Sequence, residues 1–196
     1  MRLTPQRHTV TDLRVLLIGS GGFGVPAFDA LHEKHEGSIA AVITAAPRPS
    51  GRDGALVATP VASGARERDL PLLEVERLRA PSTQETIASL DVTVGLLADF
   101  GQIVPAEMLR SVPRGILNLH PSLLPAYRGA APIPAAILAG DQETGVSTIL
   151  MDEGLDTGPL LAVQRHQLRG DEDAPRLEAQ LAQLAADGIV GTLDRY

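Results

Sequence analysis

An amide and an imidazole stand two residues apart at the end of an apolar run, Asn118 and His120 in Ile116-Leu117-Asn118-Leu119-His120. A carboxylate, Asp156, follows in a glycine-bracketed turn, Gly154-Leu155-Asp156-Thr157-Gly158. Residues two apart on a strand face the same side, so the amide and the imidazole can point into one pocket. A reaction at a carbonyl carbon needs that combination: donors for a developing oxyanion, and a partner that sets the protonation state of the imidazole. Each residue alone has a plainer reading, Asn as a loop cap and His as a satisfied buried polar group. Three features favour catalysis: the phase of the pair, the Pro121-Ser122-Leu123-Leu124-Pro125 loop onto which it opens, and the later Asp156 turn.

The elements that must hold these residues are read from periodicity and punctuation. Arg14 to Ile18 is a buried parallel strand entering the glycine turn Gly19 to Gly24; a helix over Val25 to Lys34 and a second strand over Ile39 to Thr44 complete a strand, helix, strand unit. Pro47 to Ala58, rich in Gly, Pro and Arg, reads as a surface loop. Pro60 to Arg68 follows as a helix capped by Thr59, then a short strand over Leu72 to Val75. Ser82 to Leu90 carries Ser82 and Glu85 in a capping-box pattern. A strand over Val92 to Ala98, a helix over Pro105 to Arg110, the strand ending at His120 and a helix over Ile133 to Ala139 come next. The segments Gly145 to Met151 and Leu160 to Leu168 leave no room for a helix between them, so they read as an antiparallel pair added to a parallel sheet. A helix near Ala174 to Thr192 closes the pattern, started by Asp173 and Pro175, with Leu177, Leu181 and Leu184 at helical spacing.

Composition bounds the rest. At 196 residues the chain fits one domain, read as an extension over 1–13 and a catalytic domain over 14–196, with the core drawn from Leu, Val, Ile and Ala because aromatics make up 3% and Trp is lacking. The absence of Cys excludes disulfides, thiolate metal sites and cysteine nucleophiles. No His, Asp and Glu cluster has metal spacing, and His8, His32, His35 and His166 are expected at solvent or on helix surfaces. No apolar run reaches membrane-spanning length, and Met1 to Asp12 lacks the apolar stretch of a signal peptide, so a cytoplasmic protein is expected, read separately as a monomer. A net charge of −7 with a single Lys, Lys34, argues against this domain gripping a large RNA unaided.

Gly19-Ser20-Gly21-Gly22-Phe23-Gly24 matches a dinucleotide fingerprint, in which backbone amides at a helix N-terminus approach a pyrophosphate. An NAD site also wants an acidic residue at the end of the second strand, where this chain has Thr44-Ala45-Ala46. A tight turn that needs small residues is the preferred reading.

The stretch from Gly115 to Leu161 resembles the signature of the folate-dependent formyltransferases, and the likeness extends over the chain from Arg14 onward. The Arg128-Gly129-Ala130-Ala131-Pro132-Ile133 run is most similar to the branch that formylates methionine on initiator tRNA. The resemblance implies an open, mostly parallel Rossmann-like α/β sheet with helices on both faces and an antiparallel C-terminal addition. It makes Asn118, His120 and Asp156 the catalytic residues and 10-formyltetrahydrofolate the co-substrate, with no metal. Folate contacts fall on Leu97, Ala98, Phe100, Gly101 and Ile103 after a strand end, on Ser122, Leu123, Leu124 and Pro125 as a wall, and on Asp141, Glu143 and Thr144 in a loop closing over the pterin. Gly21, Arg48, Arg52 and Arg128 fall on the acceptor side. The implied reaction is attack of a neutral amine on the formyl carbon, with Asn118 and His120 donating to the oxygen and Asp156 helping to remove a proton from nitrogen. The family's tRNA-acting members carry a further C-terminal β-barrel domain, which this sequence is read as lacking, and Asp53-Gly54-Ala55 replaces the basic residues that usually follow Arg52. Another amine acceptor, an amino sugar on a nucleotide or a carrier-bound aminoacyl group, stays open beside Met-tRNA, while the Arg128 to Ile133 run is not the glycinamide ribonucleotide pattern. A non-catalytic folate or nucleotide binder and an NAD oxidoreductase are the alternatives from other classes.

Overall fold

The computed structural model describes residues 13–50 and 54–196. Its elements run β1 (Val15–Gly19), α1 (Val25–Lys34), β2 (Ile39–Ala45), β3 (Arg48–Ser50), β4 (Ala55–Val57), α2 (Pro60–Glu67), β5 (Leu72–Val75) and α3 (Pro81–Ala88). They continue with β6 (Val94–Ala98), α4 (Ala106–Ser111), β7 (Ile116–His120), α5 (Pro132–Ala139), β8 (Glu143–Leu150), β9 (Leu160–Gln167) and α6 (Ala174–Arg195).

Seven strands form one sheet in the order β5-β2-β1-β6-β7-β8-β9. The pairs from β5 through β7 are parallel, and β7–β8 and β8–β9 are antiparallel, the architecture that the apolar runs predict. Every residue of β1, β6 and β7 is buried, as a central parallel strand covered on both faces requires. Alternation divides them between two cores. Leu17, Leu96, Leu117 and Leu119 pack with α1, α2 and α6, whereas Leu16, Ile18, Leu97 and Ile116 pack with α3 and α4. Leu117 and Ile116 are fully buried on opposite faces, and each such side chain contributes roughly 1.5–3 kcal/mol by leaving water. They set β7 at a fixed height and roll, so the polar residues after them inherit a defined position.

The chain order of strands reverses between β1 and β6. Open α/β sheets bind ligands outside the carboxyl ends of strands at such a switch point. Two caps fall where the sequence places them: Thr59 Oγ1 accepts from Ala62 N at 3.0 Å, and Asp173 Oδ1 from Arg176 N at 2.8 Å.

Four readings are corrected. Pro47 to Ala58 holds a short hairpin, with Arg48 opposite Val57 and Ser50 opposite Ala55, which its exposed residues and short strands conceal. The third helix starts at Pro81 behind an extended Ala80, so Ser82 lies inside the first turn and its carbonyl accepts from Thr86 Oγ1; no capping box forms. The antiparallel strand begins at Glu143, two residues before the apolar run. His35 is tucked against α6, its side chain 8% exposed with Nε2 3.2 Å from Asp194, because α1 and α6 pack side by side. His8 lies outside the described residues.

Candidate active site

Asn118 and His120 continue the Ile116 face of β7 and stand at its carboxyl end. Leu97 of β6 is in register with Asn118, and Ser147 of β8 with His120. Both polar side chains are buried, and both turn towards Asp156. The Asp156 carboxylate is the hub. Its Oδ1 accepts from Asn118 Nδ2 at 3.1 Å, its Oδ2 accepts from Gly129 N at 2.9 Å, and that same Oδ2 lies 3.6 Å from His120 Nδ1. Asp156 is held in a left-handed backbone conformation, φ 50°, which Asp tolerates better than most residues and which folds its side chain back over the strand end. Gly129 sits at φ 94°, and this geometry brings its N–H to the carboxylate.

The loop between β7 and α5 is built as a rigid wall. Ser147 Oγ donates to Ser122 O at 2.7 Å and accepts from Leu124 N at 3.1 Å, while Ser122 Oγ donates to Ala126 O at 2.6 Å. Leu124-Pro125 is a cis peptide. On β8, a Cβ at Gly145 would press on the Leu123 side chain and the Gln164 carbonyl, so only glycine lets this wall lie against the sheet. His120 Nε2 faces the Tyr127 carbonyl at 2.8 Å. A carbonyl only accepts, so the ring carries a hydrogen on Nε2. Tyr127 OH donates in turn to Asp141 Oδ2 at 2.7 Å, and this bond, with some burial, pushes ionisation of the phenol upward.

At the neighbouring switch point, Ser20 N and Gly21 N donate to Asp99 O at 2.9 and 3.1 Å, tying the first glycine turn to the end of β6. The Asp99 carboxylate packs onto Gly21 so closely that a side chain there would collide with it, and although the residue as a whole is exposed, desolvation against the turn raises its pKa above the usual 3.8. A carboxylate standing over the turn opposes a pyrophosphate, in accord with the preference for a structural turn. An open cleft beside it is lined by Ser20, Ala45, Arg48, Thr59, Phe100 and Gln102.

The predicted site residues divide accordingly. Asn118, His120 and Asp156 converge, with Leu97 on their face and Ser122, Leu123 and Leu124 beside them. Ala98 and Thr144 do not join them through their side chains: Ala98 packs with the α1 and α6 core, and Thr144 is buried on the β8 face opposite Gly145. Glu143 is engaged by Arg165 and by Gln167 Nε2 at the sheet edge. Phe100 is buried, Gly101 turns at φ 68°, and Ile103 and Pro125 are exposed. Arg48 borders the cleft, Arg128 is exposed next to Gly129, and Arg52 lies outside the described residues. Tyr127 and Ser147 are the contributors that sequence reasoning missed. The tyrosine works through its carbonyl, which has no side-chain signature, and the serine is one polar residue in a buried strand. Among the described residues no group of three or more His, Cys, Asp or Glu could hold a metal ion.

An Asn–Asp–His cluster at the carboxyl end of a mostly parallel sheet, walled by a serine-braced loop, defines a class, and residues 13–193 match the formyl transferase family. The chain belongs to that family. Methionyl-tRNA formyltransferase of Thermus thermophilus is 42% identical over 183 residues, covering 93% of this chain and 59% of the relative. The enzyme of that name from Chloroflexus aurantiacus is 42% identical over 185 residues, 94% of this chain and 59% of the relative. The chain thus spans about three fifths of the curated relatives it matches. Among solved structures, phosphoribosylglycinamide formyltransferase from Bacillus halodurans aligns with a TM-score of 0.76 at 23% identity, over 93% of this chain and 94% of that one. The Streptococcus pneumoniae enzyme of the same name aligns at 0.76 and 22%, over 93% and 97%. At these identities the likeness shows the fold.

Proposed function

We propose that this domain transfers a formyl group from 10-formyltetrahydrofolate to a primary amine, the amino group of methionine on initiator tRNA. The convergence of Asn118, His120 and Asp156 carries the reading, and the names of the curated relatives support the acceptor. Arg48 on the cleft and the exposed Arg128 next to Gly129 suit the acceptor end of an RNA. This reading places the protein with the translation machinery in the cytoplasm, working as a monomer.

The residues present fit the co-substrate. One Asn118 amide hydrogen goes to Asp156 and the other has no protein acceptor among the described residues, so a donor is held ready beside the Ser122–Pro125 wall. Leu97 and the buried Phe100 add apolar surface for a flat ring system. The bound folate supplies the formyl carbon at the carboxylic-acid oxidation level. Around it, Asn118 donates to the formyl oxygen as negative charge gathers there during attack by the neutral amine. Asp156 fixes that amide in orientation and receives the amine proton, directly or through a water, and the same proton is returned to the folate nitrogen as its bond to the formyl carbon breaks and tetrahydrofolate leaves. His120 reaches the reacting oxygen by exchanging its Nε2 bond to Tyr127 for a bond to substrate.

Formyl transfer from 10-formyltetrahydrofolate, measured with initiator Met-tRNA against small amines and nucleotide amino sugars, tests the proposal. Formylation of Met-tRNA upholds it. Turnover on a small amine alone keeps the chemistry and reassigns the acceptor. Folate binding without any transfer refutes it.

A further inference from the structure

We infer that Tyr127 is a positioning residue for His120, acting through its backbone carbonyl and held in place by its own hydroxyl. The inference rests on the proposed participation of His120 in formyl transfer. Two hydrogen bonds on one residue carry it: His120 Nε2 gives its hydrogen to Tyr127 O at 2.8 Å, and Tyr127 OH gives its hydrogen to Asp141 Oδ2 at 2.7 Å.

The backbone between these two bonds is unfavourable on its own. Tyr127 adopts φ 54°, a left-handed conformation that bulky residues rarely enter and that persists only where the surroundings enforce it. A residue in its ordinary extended or helical conformation would aim the carbonyl elsewhere, and His120 would lose the acceptor that selects its Nε2–H form. The hydroxyl supplies the enforcement. Asp141 is itself anchored, its N–H bonded to Ala136 O at 3.2 Å beyond the left-handed Gly140 that ends α5. The ring is therefore pinned at its far end to a fixed point, and the carbonyl at its near end is held towards the imidazole. His120 is 5% exposed, so no bulk water competes for Nε2 when this carbonyl is in place. Asp156 faces only Nδ1 and cannot by itself select the tautomer at 3.6 Å. Tyr127 thus decides which nitrogen of His120 carries the hydrogen at rest, and so which end of the ring is ready to be offered to a substrate.

The test is Tyr127→Phe, which keeps the ring and removes the hydroxyl. Two readouts are taken: the side-chain nitrogen resonances of His120, assigned by their loss in His120→Gln, and steady-state kinetics of formyl transfer. In the unaltered protein Nε2 is expected protonated. In Tyr127→Phe the signals shift towards a mixture of tautomers, kcat falls about tenfold and KM for the folate holds, the pattern of a misplaced reacting group. Asp141→Ala reproduces the shift, and combining the two substitutions adds nothing, because both break the same bond. Unchanged His120 resonances in Tyr127→Phe overturn the inference, whether or not kcat changes. Shifted resonances in a protein that transfers no formyl group to any acceptor uphold the positioning and refute the proposed function, so the two failures are told apart.

Discussion

Replacing Asp156 by Asn changes one atom and breaks the hub. The carboxylate accepts on both oxygens, from Asn118 Nδ2 at 3.1 Å and from Gly129 N at 2.9 Å, and faces His120 Nδ1 from the second oxygen. An amide can accept on one side only. With its NH2 towards Gly129, two donors meet head on. With its NH2 towards Asn118, the clash is escaped only if Asn118 turns its own amide over, which carries Nδ2 away from the formyl oxygen. The Asp156 side chain is 11% exposed, so water does little to relieve either arrangement. An unsatisfied buried donor costs about 1–3 kcal/mol. For a chain of 196 residues this lowers the melting temperature by about 2–12 °C. The catalytic loss is larger, because both orientation of the oxyanion donor and proton removal suffer, and turnover falls about 100- to 10,000-fold. Thermal unfolding and formyl transfer with saturating 10-formyltetrahydrofolate measure the two effects on one preparation. An Asp156→Asn protein with wild-type turnover would refute the assignment of this cluster to catalysis, and an unchanged melting temperature would refute the hub geometry.

Asn118→Ala is expected to lower turnover about 100- to 1,000-fold while calorimetric folate affinity stays nearly constant, since the amide acts on charge that develops after binding. Ser147→Ala strands Leu124 N and Ser122 O, and denaturant unfolding should report a loss of about 1–3 kcal/mol; no loss would mean that the wall does not depend on this serine. Asp99 is an exposed residue whose carboxylate is partly desolvated against the Gly21 turn, which raises its pKa and so mildly penalises the charged form in the fold. The penalty is absent below the ordinary value of 3.8, grows as the pH climbs from there to the raised value, and is constant above it. Asp99→Asn should therefore stabilise the protein slightly at neutral pH and lose that advantage as the pH approaches 3.8, which urea midpoints across the range will show; an advantage independent of pH would contradict the desolvation of this carboxylate against the glycine turn.

The sheet and the reacting pair were legible because their physics is local in the chain. Continuous apolar runs announce the buried β1, β6 and β7, and two polar residues in phase within such a run have no apolar reason to be there. Asp156 was legible from its glycine-bracketed turn, although its distances to β7 depend on the antiparallel β8 returning beside that strand. The exposed hairpin of β3 and β4 was hidden because three-residue strands with both faces in water show no alternation. At α3 Ser82 and Glu85 imitate a capping box in residue types alone, whereas Pro81 sets the first helical position and makes Ala80 the flanking residue. The placement of Thr144 depends on strand phase, and Glu143 begins the strand without an apolar marker. Backbone acceptors such as Tyr127 O leave no trace in residue types at all.

Among the described residues, four non-glycine positions have φ near +50°, and three of them, Asp99, Tyr127 and Asp156, border the site. At each, glycine would relax the backbone, but at Tyr127 and Asp156 it would also remove a side chain whose hydrogen bonds hold the site together. A library of variants selected for thermal endurance alone would therefore keep Tyr127 and Asp156, whose hydrogen bonds hold neighbouring segments together, and would admit replacement at Asp99. Durability and chemistry therefore ask for the same side chain at two of these positions, and heat alone, with no ligand in hand, would mark them as places where a left-handed residue other than glycine is retained.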